Sequence, residues 1–145
     1  MKRNAIPVSE YTTPFPITAE KNYTLSHIKE LMDHNQVHQI PVVVDGYPLG
    51  IITEHELATM TFCPEALDDA AWLHMKNITV IVNSQTRIDD VVLELVEQKV
   101  GYAIITDGNG IVSGIFTVTD ALSALIDSLK GDLYTDPRHL LISSQ

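Results

Sequence analysis

The stretch Gly-Ile-Phe-Thr-Val-Thr-Asp, residues 114–120, joins an apolar strand pattern to the polar start of a helix. A second copy of this stretch, Gly-Ile-Ile-Thr-Glu-His-Glu, lies at residues 50–56. Thr53 and Thr117 therefore hold equivalent positions about 64 residues apart. Because self-similarity at a fixed period is the signature of an internal structural repeat, the sequence predicts a fold with two similar halves.

In each copy an acidic residue follows the threonine three positions later, which gives the pairs Thr117 with Asp120 and Thr53 with Glu56. The first N–H groups of a helix lack backbone partners, and together with the helix dipole they favour an anion such as a phosphate. A carboxylate can accept two hydrogen bonds at once, which suits the cis-diol of a ribose. The pairs therefore fit a nucleotide.

The same pattern is also typical of a capping box, in which the threonine and the acidic residue satisfy backbone N–H groups and contact no ligand. Such boxes are common, and a short motif on its own carries a high risk of a false match. Two copies in matching contexts favour the nucleotide interpretation, while both interpretations stay open at this point.

Bulk composition limits the classes of function. The chain has 145 residues, of which 45% are hydrophobic, enough for one domain with a core. Its 19 acidic residues against 9 Lys and Arg give a net charge of −10, so nucleic acid is not expected as a partner. The sequence has neither a signal-peptide pattern nor an apolar run of about 18 residues, and we expect a cytoplasmic protein with no membrane partner. Cys63 is the only cysteine, which excludes an internal disulfide.

The first repeat is predicted at residues 1–60. Its apolar and turn patterns indicate a short strand at 17–18, a helix at 24–36, strands at 40–44 and 49–53 joined by an Asp-Gly turn, and a helix at 54–60. A connector follows at residues 61–71.

The second repeat is predicted at residues 72–130, and its residues 74–81 align without a gap with residues 11–18. The same order of patterns follows, with a helix at about 88–96, strands at 102–106 and 111–117, and a helix at 119–129 that stops at Lys130-Gly131. A tail at residues 131–145 contains the apolar run Leu140–Ile142, which we expect to dock on this chain or on a neighbour.

Each repeat thus has the order strand, helix, strand, strand, helix and is too small to bury both faces of its own sheet. We predict an α+β fold in which the two repeats pack against each other with internal pseudo-two-fold symmetry. The two threonine and acid pairs would then face a shared interface, which is a favoured place for a small ligand.

These patterns resemble a pair of cystathionine-β-synthase (CBS) domains, a Bateman module, over roughly residues 8–129. The resemblance rests on Ile40–Asp45, on Gly50–Thr53 and Gly114–Thr117, and on Asp120, in an order that occurs twice. It implies an adenosine-containing ligand such as AMP, ADP, ATP or S-adenosylmethionine, bound in a cleft between the repeats. It also implies that two modules pair into a flattened homodimer.

The resemblance assigns roles residue by residue. Asp120 matches the acid that binds the ribose, and Thr117 matches the hydroxyl that meets the ribose or a phosphate. In the first repeat Thr53 matches as well, but Glu56 is one methylene longer, so the second-repeat site is expected to dominate. Where the family often has a basic residue facing the phosphate, only His38 could carry a positive charge. The expected apolar walls for an adenine are Ile17, Ile40, Val80, Tyr102 and Ala103.

Because the chain is acidic and His38 is the only expected cation near the phosphate position, AMP or an uncharged adenosyl compound should bind better than ATP. No further cofactor is expected. Four histidines of the first repeat lack the carboxylate pattern that would complete a metal site. No nucleophile and base stand in register, so catalysis is not expected either.

Two functions remain open. The first is a regulatory module that binds an adenosine ligand and acts in trans on an unidentified target protein. The alternative is a ligand-free dimerisation or adapter module, in which both threonine and acid pairs act only as caps. In either case we expect a homodimer that pairs through the apolar helix faces around Leu57, Leu122 and Leu125.

Overall fold

The computed structural model describes residues 5–14 and 16–135 of the chain. Seven strands are present in these residues: β1 (Thr13–Pro14), β2 (Ala19–Glu20), β3 (Gln39–Val44), β4 (Tyr47–Thr53), β5 (Ile81–Asn83), β6 (Tyr102–Thr106) and β7 (Val112–Thr117). The α-helices are α1 (Leu25–Asn35), α2 (Glu54–Thr59), α3 (Ile88–Gln98) and α4 (Val118–Thr135). Short 3₁₀ helices lie at Val8–Glu10, Met60–Phe62, Pro64–Asp68 and Ala71–Leu73.

Helix α1 begins and ends as its sequence predicts. The Thr24 hydroxyl accepts a hydrogen bond from the His27 N–H at 3.1 Å, which satisfies one of the unpaired donors of the first turn. The helix ends at Gln36, which has a left-handed backbone with φ 54°. Helix α3 ends in the same way at Lys99, with φ 57°. The two helices are therefore equivalent elements of the two halves.

The strands form two sheets, one in each half. The first sheet has the order β2-β3-β4, and the second has the order β1-β7-β6-β5. The β3–β4 hairpin turns at Asp45 and Gly46, whose φ angles of 51° and 84° are those that a tight hairpin turn requires. The predicted α+β fold with two packed repeats is confirmed.

The segment that precedes the first helix of each repeat pairs with the sheet of the other repeat, and we call it the leading segment. The predicted order of elements did not include this pairing. In the first segment, Thr13 lies opposite Ile115 of β7. In the second, Lys76 lies opposite Ile51 of β4 and exchanges two backbone hydrogen bonds of 2.9 Å with it. The halves are thus tied together by both segments.

The glycine that opens each repeated motif makes this close approach possible. A Cβ atom on Gly114 would lie 2.2 Å from Thr12 Cγ2 and 2.9 Å from the Thr13 carbonyl oxygen. A Cβ atom on Gly50 would lie 2.6 Å from Met75 Sδ and 2.9 Å from the Lys76 carbonyl oxygen. Both positions therefore need a residue without a side chain.

Each half has its own core, and a third cluster joins them. The first core comprises Ala19, Leu25, Ile28, Met32, Ile40, Val42, Ile52 and Ala71. The second comprises Val8, Val80, Val91, Leu95, Ala103, Ile105 and Phe116. Ile51, Ile104 and Ile115 form the third, with one residue from the first sheet and two from the second. Because Val8 and Ala71 lie in the core of the opposite half, the exchanged segments also contribute to packing.

Two predicted boundaries are wrong. The short strand expected at residues 17–18 lies at Ala19–Glu20. Helix α4 continues past Lys130-Gly131 to Thr135, because Gly131 keeps a helical backbone and does not turn the chain. The apolar run Leu140–Ile142 lies outside the described residues. Among the residues that are described, no helix is both long enough and apolar enough to cross a membrane.

Candidate ligand-binding clefts

A cleft opens between the halves where β7 ends and α4 begins. Its volume is about 230 Å³. This is somewhat below the range of about 300–1,000 Å³ that is usual for small-molecule pockets, so it would hold part of a nucleoside and leave the rest in solvent. The lining residues come from both halves: Thr13, Pro16, Ile17, Gln36, Val37, His38, Gln39, Ile115 and Thr117. We call this the open cleft.

The acidic residue beside the open cleft is held by one of its two oxygens. The Thr117 N–H donates to Asp120 Oδ2 at 2.9 Å, and the Thr117 hydroxyl donates to the same atom at 3.3 Å. The described part of the chain supplies no hydrogen-bond partner for Asp120 Oδ1. Since the carboxylate is also partly exposed, it keeps an acceptor atom for a ligand.

The equivalent acidic residue of the first repeat, Glu56, uses both of its oxygens. Its Oε2 accepts a hydrogen bond of 2.6 Å from the Thr53 N–H and another from the Thr53 hydroxyl. Its Oε1 lies 2.7 Å from Lys76 Nζ, and only 7% of the residue is exposed. Burial alone would raise the pKa of Glu56, but the hydrogen bonds from Lys76 and Thr53 outweigh it and lower the pKa. Glu56 is therefore an ionised and buried carboxylate, with Oε2 hydrogen-bonded by Thr53 and Oε1 in an ion pair with Lys76.

The Thr53 and Glu56 pair forms a complete capping box, in which each side chain binds the backbone N–H of the other residue. The Thr117 and Asp120 pair shows the acidic half of this pattern, since Asp120 accepts from the Thr117 N–H. The nucleotide interpretation needs an additional acceptor oxygen, and within the described residues Asp120 has one, whereas both oxygens of Glu56 are occupied. Geometry therefore separates two pairs that look alike in sequence.

The predicted site residues do not all lie together. Ile17, His38 and Thr117 line the open cleft, and Asp120 lies next to it through its bonds to Thr117. His38 Nδ1 lies 2.7 Å from Glu54 Oε1, so any positive charge on the ring already has a carboxylate partner.

The remaining predicted residues lie elsewhere. Ile40 is in the first core, and Val80 and Ala103 are in the second. They are absent from the lining of the open cleft, and their role as adenine walls stays a prediction. Tyr102 packs against the cluster of Ile51, Ile104 and Ile115, and its pKa is raised by burial and by the charge of Glu56.

Sequence reasoning missed Lys76 and several residues that line the open cleft. Gln36 and Val37 line it because they follow α1 directly, whereas the predicted contact was His38. In the gapless alignment of residues 74–81 with 11–18, Lys76 aligns with Thr13. The sequence therefore did indicate that Lys76 holds the position of a residue that lines the open cleft. Within residues 5–14 and 16–135, no cluster of His, Cys, Asp and Glu side chains could hold a metal ion.

The family model of the CBS domain matches the chain twice, at residues 8–60 and 69–127. The chain belongs to the CBS-domain family. The predicted tandem CBS pair, or Bateman module, is confirmed. The predicted bounds of the two repeats, 1–60 and 72–130, differ from the matched segments by up to seven residues and stay a prediction.

Solved structures with this fold include several CBS pairs. A protein assigned to acetoin utilization, AcuB from Vibrio cholerae, is 21% identical with a TM-score of 0.80, covering 92% of this chain and 100% of that chain. The CBS domain pair of protein MJ0100, in complex with 5′-methylthioadenosine and S-adenosyl-L-methionine, is 20% identical with a TM-score of 0.74, covering 86% of this chain and 98% of that chain.

A third similar structure is CBSX2, a CBS-pair protein from Arabidopsis thaliana, in complex with AMP. It is 18% identical with a TM-score of 0.74, and the match covers 83% of this chain and 96% of that chain. A search of curated proteins gives no significant match. At these identities the solved structures establish the fold of this CBS pair.

Proposed function

We propose that this CBS pair is a regulatory module that binds one adenosine-containing ligand in the open cleft and acts in trans on a target protein. The observation that carries the proposal is Asp120 Oδ1, which has no hydrogen-bond partner among the described residues and lies beside Thr117, at a cleft lined by both halves. The MJ0100 pair in complex with 5′-methylthioadenosine and S-adenosyl-L-methionine and CBSX2 in complex with AMP support the same class of ligand.

In this proposal the ribose binds at the start of α4. Asp120 Oδ1 accepts a hydrogen bond from one hydroxyl of the diol, and the Thr117 hydroxyl contacts the sugar or a phosphate. Ile17 and Val37 supply apolar surface for the base. A ligand that bridges residues of both halves would stabilise one relative arrangement of them, and this is how the module would signal to a partner.

The charge of the open cleft favours a ligand with few phosphates. Among the residues that the structure describes, no lysine or arginine lines the cleft, and His38 is paired with Glu54. One phosphate can use the N–H groups at the start of α4, whereas a triphosphate would meet little compensation. AMP, 5′-methylthioadenosine or S-adenosylmethionine should therefore bind more tightly than ATP.

A binding role agrees with the chemistry of the cleft. Its polar lining consists of threonine hydroxyls, glutamine amides and a histidine that is paired with a carboxylate. These groups can donate and accept hydrogen bonds, but they do not form an activated nucleophile with its base. The proposal therefore gives the cleft no catalytic step.

A thermal-shift panel followed by calorimetry tests the proposal. AMP, 5′-methylthioadenosine, S-adenosylmethionine and ATP are compared without magnesium, and the expected result is stabilisation by at least one of the first three. A ligand at 100 times its dissociation constant adds about 2.7 kcal/mol to the free energy of unfolding. No stabilisation by any of the four would contradict the proposed ligand class, and tighter binding of ATP would contradict the argument from charge.

A homodimer is the second part of the proposal, and an exposed apolar helix face supports it. Helices α3 and α4 leave large side chains 49–67% exposed: Leu93, Val96, Val118, Leu122, Leu125, Ile126 and Leu129. Leu57, which was predicted on the same interface, is instead partly buried against the first core. We therefore place the dimer contact on α3 and α4 of the second half. The same surface would serve the alternative adapter function.

A further inference from the structure

The fold contains a second cleft position, equivalent to the open cleft by internal symmetry. Three pairs of residues define the equivalence: Gln36 with Lys99 at the helix ends, Ile115 with Ile51 on the sheets, and Thr117 with Thr53 at the strand ends. Because Thr13 lies opposite Ile115 and Lys76 lies opposite Ile51, Lys76 is the equivalent of Thr13.

The two equivalent residues differ in length and charge. Thr13 has a short side chain and lines the open cleft together with Thr117. Lys76 has a long side chain, and its Nζ lies 2.7 Å from Oε1 of Glu56, which is the equivalent of Asp120. The Glu56 oxygen that corresponds to Asp120 Oδ1 is therefore paired with an ammonium group of the same chain.

We propose that Lys76 closes the second cleft to adenosine ligands by binding Glu56, so that each chain has one ligand site. This inference rests on the proposed function, because it takes the open cleft as the site that remains. Lys76 would then be the residue that determines which of the two clefts binds a ligand. It lies in the leading segment of the second repeat, which pairs with the sheet of the first repeat.

A ribose cannot easily displace this ammonium group. Glu56 is 7% exposed and ionised, so an uncharged diol in place of Lys76 would leave a buried negative charge without its counter-charge. The Thr53 N–H and hydroxyl already bind the other oxygen. By contrast, a diol that binds Asp120 Oδ1 displaces no group of the described chain.

The experiment makes the second cleft like the open one. The variant Lys76→Thr/Glu56→Asp gives it the threonine and aspartate of the open cleft. By calorimetry with AMP and with 5′-methylthioadenosine, we expect one ligand per chain in the parent protein and two in this variant. When the same two changes are added to Asp120→Ala, the affinity should rise at least about tenfold above that of Asp120→Ala alone. Lys21→Thr, a change of an exposed lysine outside both clefts, should leave one ligand per chain.

Two ligands per chain in the parent protein would overturn the inference, and so would one ligand per chain in a folded Lys76→Thr/Glu56→Asp variant. If no protein binds either ligand, the proposed function fails. Unfolding in urea then tests the contact itself with Glu56→Gln, Lys76→Met and the double variant. A double variant that loses less than the sum of the single changes supports the binding of Glu56 by Lys76, and additive losses overturn it.

Discussion

The substitution Gly114→Ala should destabilise the protein and weaken its ligand site at the same time. The added Cβ would lie 2.2 Å from Thr12 Cγ2 and 2.9 Å from the Thr13 carbonyl oxygen. Thr12 cannot simply rotate away, because its hydroxyl donates a hydrogen bond of 2.7 Å to the Val8 carbonyl. The Thr13 oxygen belongs to the backbone, so the whole leading segment must move.

Forcing an extra methyl group into a well-packed position costs about 1–3 kcal/mol. With a urea m-value of about 2 kcal/mol/M for a domain of this size, the unfolding midpoint should fall by roughly 0.5–1.5 M. Thr13, Pro16 and Ile17 line the open cleft and belong to or directly follow the segment that must move. The affinity for AMP should therefore fall as well.

Gly108→Ala is the matched control, because a Cβ on Gly108 would meet no atom within 4 Å. Urea unfolding followed by circular dichroism, and calorimetry with AMP, compare the two variants with the parent protein. If Gly114→Ala unfolds at the same urea concentration as Gly108→Ala, the exchange of the leading segments is not the tight contact described above.

Two further predictions concern the Glu56 carboxylate and the apolar helix face. Because the folded pKa of Glu56 is lowered, its contribution to stability should be present above its unfolded pKa of about 4.3 and be lost as the pH falls through the folded pKa. Urea midpoints between pH 3 and 7 measure this, and Glu56→Gln should flatten the profile; an unchanged slope would contradict the lowered pKa. Leu122→Lys together with Leu125→Lys should convert a dimer into a monomer in light scattering at tens of micromolar, whereas Leu49→Lys on β4 should not. A parent protein that is already monomeric at this concentration would contradict the dimer.

The elements with local signals could be predicted from the sequence. Helix α1 has an apolar stripe and a capping threonine, and the first hairpin has an Asp-Gly turn. The end of α4 was missed because Gly131 is a local stop signal only if its backbone turns left-handed, and it does not. Sequence shows which residues permit a turn, and the surrounding contacts decide whether the turn occurs.

The exchanged segments could not be predicted, because neither a two-residue strand nor a single bridge has any periodicity. The partner of the first segment also lies about 100 residues away in the chain. Gly50 and Gly114 were nonetheless visible traces of the close approach. The contact between Lys76 and Glu56 depends on this exchange. The pairing of His38 with Glu54 likewise depends on the β3–β4 pairing, since the Glu54 N–H donates to the His38 carbonyl at 2.9 Å.

The comparison of Asp120→Ala with Glu56→Ala in calorimetry with a single adenosine ligand tests the central claim most directly. Loss of a hydrogen bond to a charged group costs about 1.5–3 kcal/mol, so Asp120→Ala should weaken binding at least about tenfold. Glu56→Ala should leave affinity nearly unchanged although it lowers stability, because Glu56 binds Lys76 and Thr53. Melting temperatures of both variants separate folding from binding. Equal losses of affinity in the two variants, or a lower melting temperature of Asp120→Ala with its affinity intact, would leave both acids as helix caps and contradict the proposed site.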